Sequence, residues 1–454
     1  MDKYLSRSID QALLEWKDNP RRKPLLVRGA RQVGKSSTIR HLGKNFKYFL
    51  EVNVERNPEV MEFFKGNRDV KSIAAKLSDF FNVPVVPGET LLFLDEIQKC
   101  EDVIHSLWFF KEDYPELHVI AAGSLLEFAL KNLSSFGVGR VSSLFVYPMS
   151  FDEFLTATGQ EGLLRIKRNS SPTNPLPEAF YNRLVEAFRS YMLVGGMPEA
   201  VATYTETGSY RYSSDIVNEI IQGYQDDFAK YGAKANPLLL RQTLISVAHQ
   251  AGAKFVCSRV EGQYRSAEVK VALKMLKDAG LIIPTYHTDA NGVPLGAEIN
   301  ERVVKYLIHD TGVLLGILGI DDDIDERIKE MMVADSIDLV DKGHVAEMMA
   351  GLELIKYSSP QTRHQLYYWQ NMNKGTCAEV DYVIARSGSI VPIEVKSGVK
   401  GSMSSMYSLM RNPQKHIEMG IRCSLENFGT FASPNGKKID IIPLYAISNL
   451  FAEK

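Results

Sequence analysis

Between Lys23 and Ser124 the chain passes through four short, nearly unbroken apolar stretches, KPLLVRG, KYFLEVNV, TLLFLDE and LHVIAAGS, with longer mixed segments between them. Strands buried on both faces read this way, and their alternation with helical segments predicts a parallel sheet covered by helices over residues 1–150. From Phe151 to about residue 235 the pattern is helical, broken by RNSSPTNPLP at 168–177, a surface loop by its Ser, Pro and Asn content. Residues 236–325 read as helix, helix and hairpin. SAEVKVALKMLKDAGL at 266–281 is amphipathic with a glycine stop, LIIPTYH follows as a strand, Asn291-Gly292 is a turn, and the chain returns near VPLGAE. The acidic run DDDIDE at 321–326 reads as a linker or exposed helix start before a last region of mixed strands and helices, 326–454.

Composition narrows the class only a little. The 454 residues are 45% hydrophobic and 24% charged, the ordinary globular balance, with a formal net charge of -2, so any basic footprint is local. The longest apolar run, GVLLGILGI at 312–320, is far short of the roughly 18 to 20 residues of a spanning helix. The charged start MDKYLSRSIDQALLEWKDNP has no apolar core of a signal peptide, and Cys100, Cys257, Cys377 and Cys423 are widely separated. A cytoplasmic protein with reduced thiols is expected, with no membrane contact.

Residues 29–36, GARQVGKS, satisfy G-x-x-x-x-G-K-[ST] between a strand and a helix. Gly29 and Gly34 let the backbone from Ala30, Arg31, Gln32 and Val33 onward curl its N–H groups around a polyphosphate at the start of the helix that carries Ser37. Lys35 would bridge the β- and γ-phosphates of ATP, and Ser36 would ligate Mg²⁺. In LLFLDEIQ at 91–98, Asp95 would hold the Mg²⁺ shell and Glu96 would orient or deprotonate the attacking water. Ser124 is either a contact to the γ-phosphate or water, or a plain strand-end serine. Arg140 in GVGRV is a candidate for the cation that neutralises transition-state charge, from this subunit or a neighbouring copy in a homo-oligomer, or else a solvated loop arginine; Arg31 is a weaker rival.

YLSRSIDQALLEW, LLVRGARQVGKS, LLFLDEIQ, GRVSSLFVYPMSFDEFL and LVGGMPEAV together resemble the prokaryotic AAA-like P-loop ATPases that carry a C-terminal domain of unknown function. The resemblance implies an α/β chain: a P-loop NTPase parallel sheet at 1–150, a helical lid at 151–235, a winged helix and connector at 236–325, and an α/β nuclease-like PD-(D/E)XK domain at 326–454. Gly196, Met197 and Pro198 look like the Gly-x-Pro motif that related ATPases hold near the nucleotide.

Two further patterns bear on DNA. Lys270, Lys274 and Lys277 share one face of the 266–281 helix and Arg265 extends the row, either as phosphate contacts or as an ordinary solvated face. In EVDYVIARSGSIVPIEVKSG at 379–398, a two-residue turn at Ser387-Gly388 would set Asp381 opposite Glu394 and Glu379 opposite Lys396, all on one face. Opposed carboxylates call for compensation, and a divalent cation supplies it. The D…E-x-K spacing resembles that of restriction-endonuclease-like nucleases, with Lys396 polarising the attacking water and Glu347 as the further acid. Salt bridging of the four charges is the plainer alternative. Trp369 in YYWQ reads as core, and His309-Asp310 as a helix-end contact. The expected function is an ATP-hydrolysing machine whose nucleotide state controls a winged-helix and nuclease-like module acting on DNA. The alternative is an ATP-gated signalling or defence switch that binds protein partners and has an inert nuclease-like fold.

Overall fold

A computed structural model describes residues 4–124, 126–132, 139–231, 236–319, 342–371, 378–398 and 401–451. These form two units, the first running to Pro148 and including Asp278–Gly280 and Ser359–Arg363, the second made of the remainder.

In the first unit, β1 (Leu25–Arg28), β2 (Tyr48–Asn53), β3 (Thr90–Asp95), β4 (His118–Ala122) and β5 (Ser142–Phe145) form one parallel sheet in the order β2-β3-β4-β1-β5. β3 and β4 are buried along their whole length, which is why their sequences lack alternation. β5 has no apolar run because it is an edge strand with only Leu144 fully buried, and its Phe145 N–H donates to the Pro360 carbonyl at 2.8 Å. The helix Val70–Phe81 starts at Asp69, whose carboxylate accepts from the Lys71 and Ser72 N–H groups. Its Val70, Ile73, Ala74 and Leu77 form one stripe against Leu50, Val52, Leu92 and Leu94 of the sheet, and Leu107 and Phe110 close the same core. In an open parallel sheet of this kind, ligands bind beyond the carboxyl ends of the strands.

The second unit opens with helices Phe151–Ala157, Glu161–Arg168, Glu178–Val194, Pro198–Thr207 and Tyr210–Asp227. A reciprocal cap of Ser150 and Glu153 fixes the first of them. Gly196 is held on both sides: its N–H donates to Asp310 at 2.6 Å, and its carbonyl accepts from the Met149 N–H at 2.6 Å. Asp310 also caps the helix Thr311–Ile317, so it is a helix-end contact. Its neighbour His309 is buried between the Leu281 carbonyl and the Tyr224 hydroxyl, and burial lowers its pKa to about 4.

Helices Pro237–His249 and Ser266–Asp278 lead into β6 (Ile282–Thr288) and its antiparallel partner β7 (Ile299–Ile308). The return begins at Ile299 and not within VPLGAE, because Leu295–Glu298 closes a tight helical turn first. β8 (Leu366–Gln370) and β9 (Glu379–Val380) extend this sheet in the order β7-β6-β8-β9. A second sheet joins β10 (Tyr382–Arg386), β11 (Ser389–Val395), β12 (Met419–Ser424), β13 (Gly429–Ala432) and β14 (Lys438–Pro443) in the order β10-β11-β12-β14-β13. Trp369 is buried in a core with Val380, Val383 and Met406.

Cys100, Cys257 and Cys423 are free thiols, while Cys377 and the acidic 321–326 run lie outside the described residues. Among the described residues no helix is long and apolar enough to cross a membrane.

Candidate functional site

The loop 29–34 leaves β1 and enters the helix Lys35–Gly43, whose N-cap is Gly34 at φ 93, with no side chain capping the first N–H groups. Those donors are therefore open to an anion at the positive end of the helix. Gly29 sits at φ 149, and a Cβ there would lie 2.1 Å from the Val146 carbonyl oxygen, so only glycine fits. Gln32 holds the turn at φ 65, and Val33 is buried with its carbonyl accepting from Arg7 Nη1 at 2.9 Å. Lys35 Nζ folds back to the Gly29 and Ala30 carbonyls at 3.0 and 2.6 Å. Burial lowers its pKa to about 8 against the opposing pull of Glu96 and Asp95. Arg31 and Ser37 are exposed.

Asp95 and Glu96 stand at the end of β3. Asp95 is buried and accepts from Ser36 Oγ at 3.2 Å and Asn53 Nδ2 at 3.5 Å; burial and then the charge of Glu96 raise its pKa. An all-oxygen pair of hydroxyl and carboxylate suits Mg²⁺, which keeps most of its waters. Glu96 adopts φ 54, which turns its side chain out of the strand, where Ser124 Oγ donates to it at 3.2 Å and the Gln98 amide makes a second contact. Asn53 carried no signal of its own, and for Gln98 the one clue was its place two residues after Glu96. Arg140 is half-exposed, stacked 4.0 Å over Trp108 and paired with Glu112 at 2.7 Å.

The second cluster lies around the hairpin. Ser387 at φ 50 and Gly388 at φ 76 form the two-residue turn, and the ladder runs from Arg386↔Ser389 to Tyr382↔Ile393. The same count puts Asp381 opposite Glu394, but the ladder stops there because the Asp381 carboxylate takes the Val395 N–H at 2.7 Å. Glu379 is therefore not paired with Lys396. It belongs to β9, opposite Gln370 of β8, and its carboxylate meets Lys305 Nζ at 2.5 Å. Lys305, from β7, also binds Glu347 at 2.8 Å. Lys396 Nζ meets Glu394 Oε1 at 2.7 Å, while Glu394 Oε2 is buried with no hydrogen-bond partner.

Glu347 is carried by the helix Lys342–Lys356, which comes so close that a Cβ on Gly351 would lie 2.4 Å from the Tyr382 hydroxyl. Burial raises the Glu347 pKa to about 8 against Lys305, and burial with the charge of Asp381 raises that of Glu394 to about 7. Burial raises that of Asp381 as well. Among the described residues no group of three or more His, Cys, Asp or Glu side chains is gathered closely enough to hold a metal ion, so the expected set of Glu347, Asp381 and Glu394 does not form a three-carboxylate cage. Lys305 escaped the sequence reading, although a lysine inside the apolar strand VVKYLI was a sign of a buried counter-charge.

Three family descriptions match separate parts of the chain: "AAA domain" over residues 21–155, "Domain of unknown function (DUF8612)" over 185–324 and "Domain of unknown function (DUF4143)" over 342–447. Among solved structures, that of the Aeropyrum pernix Orc1 protein in complex with DNA aligns with a TM-score of 0.30 at 13% identity, covering 72% of this chain and 95% of that chain. No curated protein matches the chain. The parallel sheet and the glycine loop both lie within residues 21–155, the stretch that matches the AAA domain family.

Proposed function

We propose that the chain binds and hydrolyses ATP, and that its nucleotide state controls a winged-helix and nuclease-like module acting on DNA. The observation that carries the first half is Glu96 held by Ser124 and Gln98 beside the buried Ser36–Asp95 pair. The loop N–H groups from Ala30 to Ser36 receive the phosphates, and Lys35 trades its two carbonyl partners for β- and γ-oxygens. Ser36 and Asp95 would hold Mg²⁺, which would neutralise developing charge when bound. Glu96 orients the attacking water and takes up its proton once freed from Gln98, and Ser124 stays within reach of the same water. The fixed, half-exposed guanidinium of Arg140 suits service to the nucleotide of a neighbouring copy in a homo-oligomer.

For the second half, the two helices and the β6–β7 hairpin support a winged-helix reading, and the Asp381/Glu394 hairpin with Lys396 supports a nuclease-like one. The deciding measurement is ATP turnover with and without single- and double-stranded DNA. Stimulation by DNA supports the reading, and nucleotide-driven assembly without DNA binding overturns it in favour of a switch with an inert nuclease-like fold. The commitment of Glu347 and Glu379 to Lys305 stands on the side of that switch.

The lysine row gives a sharper test. Lys270 and Lys274 are exposed, whereas Lys277 donates to the Tyr286 hydroxyl at 2.9 Å. Replacing Lys270 and Lys274 by alanine is expected to flatten the salt dependence of DNA binding by about two units of slope, and Lys277→Ala to leave it nearly unchanged. An unchanged slope in the double variant, read by fluorescence anisotropy over a salt series, returns this helix to a solvated face.

A further inference from the structure

The four carboxylates around the hairpin are not equivalent, and the lysine that divides them comes from outside the motif. Lys305 is 1% exposed and reaches from β7 to Glu347 at 2.8 Å and Glu379 at 2.5 Å. Asp381 and Glu394 face each other across the end of the next hairpin, with Lys396 on Glu394 alone. The partnerless buried oxygen in the group is Glu394 Oε2, on a residue 5% exposed. A buried carboxylate oxygen with no donor is costly unless a cation or proton satisfies it.

We propose that Lys305 is a built-in cation that occupies the Glu347–Glu379 side of the cluster, so that the site takes one divalent cation, on Asp381 and Glu394, and not two. This rests on the nuclease-like reading above and adds a stoichiometry and a new residue to it. Charge supports it. With all four carboxylates ionised, Glu347, Glu379, Asp381 and Glu394 against Lys305 and Lys396 leave two negative charges, which one divalent cation cancels and two would overshoot. The donor geometry supports it too: with Lys305 on two of the carboxylates, no three acids are gathered as a cage among the described residues. Mg²⁺ and Mn²⁺ tolerate such a site, since they bind through one or two carboxylates and retain several waters. Lys305 is thus a positioning residue, holding Glu347 and Glu379 away from the metal.

The test counts Mn²⁺ bound to the full chain without nucleotide, in a Lys35→Ala background, by the electron paramagnetic resonance signal of the free ion. One Mn²⁺ per chain is expected, abolished by Asp381→Asn. Lys305→Met, of similar length and without charge, is expected to admit a second Mn²⁺ or to tighten the first at least tenfold. Should that variant fail to fold, Glu347→Gln decides. It keeps the shape of the side chain and the bond to Lys305, and it is expected to leave Mn²⁺ affinity within about twofold, where loss of a true ligand or its direct support costs about 10- to 100-fold. A tenfold or greater loss in Glu347→Gln, or one unchanged Mn²⁺ in a folded Lys305→Met, overturns the role of Lys305. No Mn²⁺ sensitive to Asp381→Asn overturns the metal reading beneath it, a different result from either.

Discussion

Glutamine in place of Glu96 is expected to leave ATP bound while slowing its hydrolysis by about 10²- to 10⁴-fold, the usual cost of losing one positioned acid–base group. Binding is expected to survive because the proposed phosphate contacts come from the loop N–H groups and Lys35, and Asp95 keeps its bond to Ser36. The change removes the carboxylate proposed to receive the proton, but it retains a carbonyl oxygen that can still accept from Ser124. Lys35→Ala acts one step earlier. Its ammonium is buried at the mouth of the loop, and its removal is expected to abolish binding. Single-turnover hydrolysis beside equilibrium nucleotide binding separates the two effects. A wild-type rate in Glu96→Gln would mean that another group activates the water.

The first unit was legible where burial alone writes the sequence. β3 and β4 are covered on both faces, so TLLFLD and HVIAA could hardly be anything but central strands. β5 was missed because an edge strand needs only Leu144 inside, and SSLF carries no periodicity that four residues can display. The glycine loop was legible because its backbone conformation demands particular residues, most plainly at Gly29. The environment of Glu96 was not. Its positive φ and its contacts to Ser124 and Gln98 depend on how β4 ends beside β3, which no local pattern states.

In the second unit the turn set the register, and Ser387-Gly388 is short enough to leave little choice. What the hairpin rule could not supply was the competition at Asp381. A carboxylate that accepts a main-chain N–H ends the ladder, and the two acids before Tyr382 then part company, Glu379 to β8 and Asp381 to β11. Lys305 lies 42 residues from Glu347 and enters only through the order β7-β6-β8-β9. Its partners were readable one by one, but their division into two pairs was not.

That division makes the metal-free cluster sensitive to pH in a direction opposite to that of most carboxylates. Burial and the charge of Asp381 push Glu394 up to about 7, above the roughly 4.3 of an unfolded glutamate. Between these values the folded chain holds a proton that the unfolded chain has lost, so the contribution of Glu394 to stability falls as pH rises from about 4.3 to about 7 and is flat beyond. Asp381 is raised too, as is Glu347 to about 8, and both contribute with the same sign. At about 1.4 kcal/mol per pH unit, Glu394 alone costs on the order of 4 kcal/mol at pH 8. Glu394→Gln is therefore expected to raise metal-free stability at pH 8 by up to about 4 kcal/mol and to remove the share of Glu394 in the slope between pH 4.3 and 7. Mn²⁺ should stabilise the unsubstituted chain strongly at pH 8 and weakly at pH 5, where protons hold the site, and should do little for Glu394→Gln. Urea unfolding in chelator and in Mn²⁺, across that pH range and in the Lys35→Ala background, reads both effects. If Glu394→Gln destabilises the chain at pH 8 without metal, the Lys396–Glu394 pair at 2.7 Å outweighs the repulsion, and the cluster is an ion-paired scaffold instead of a cation site.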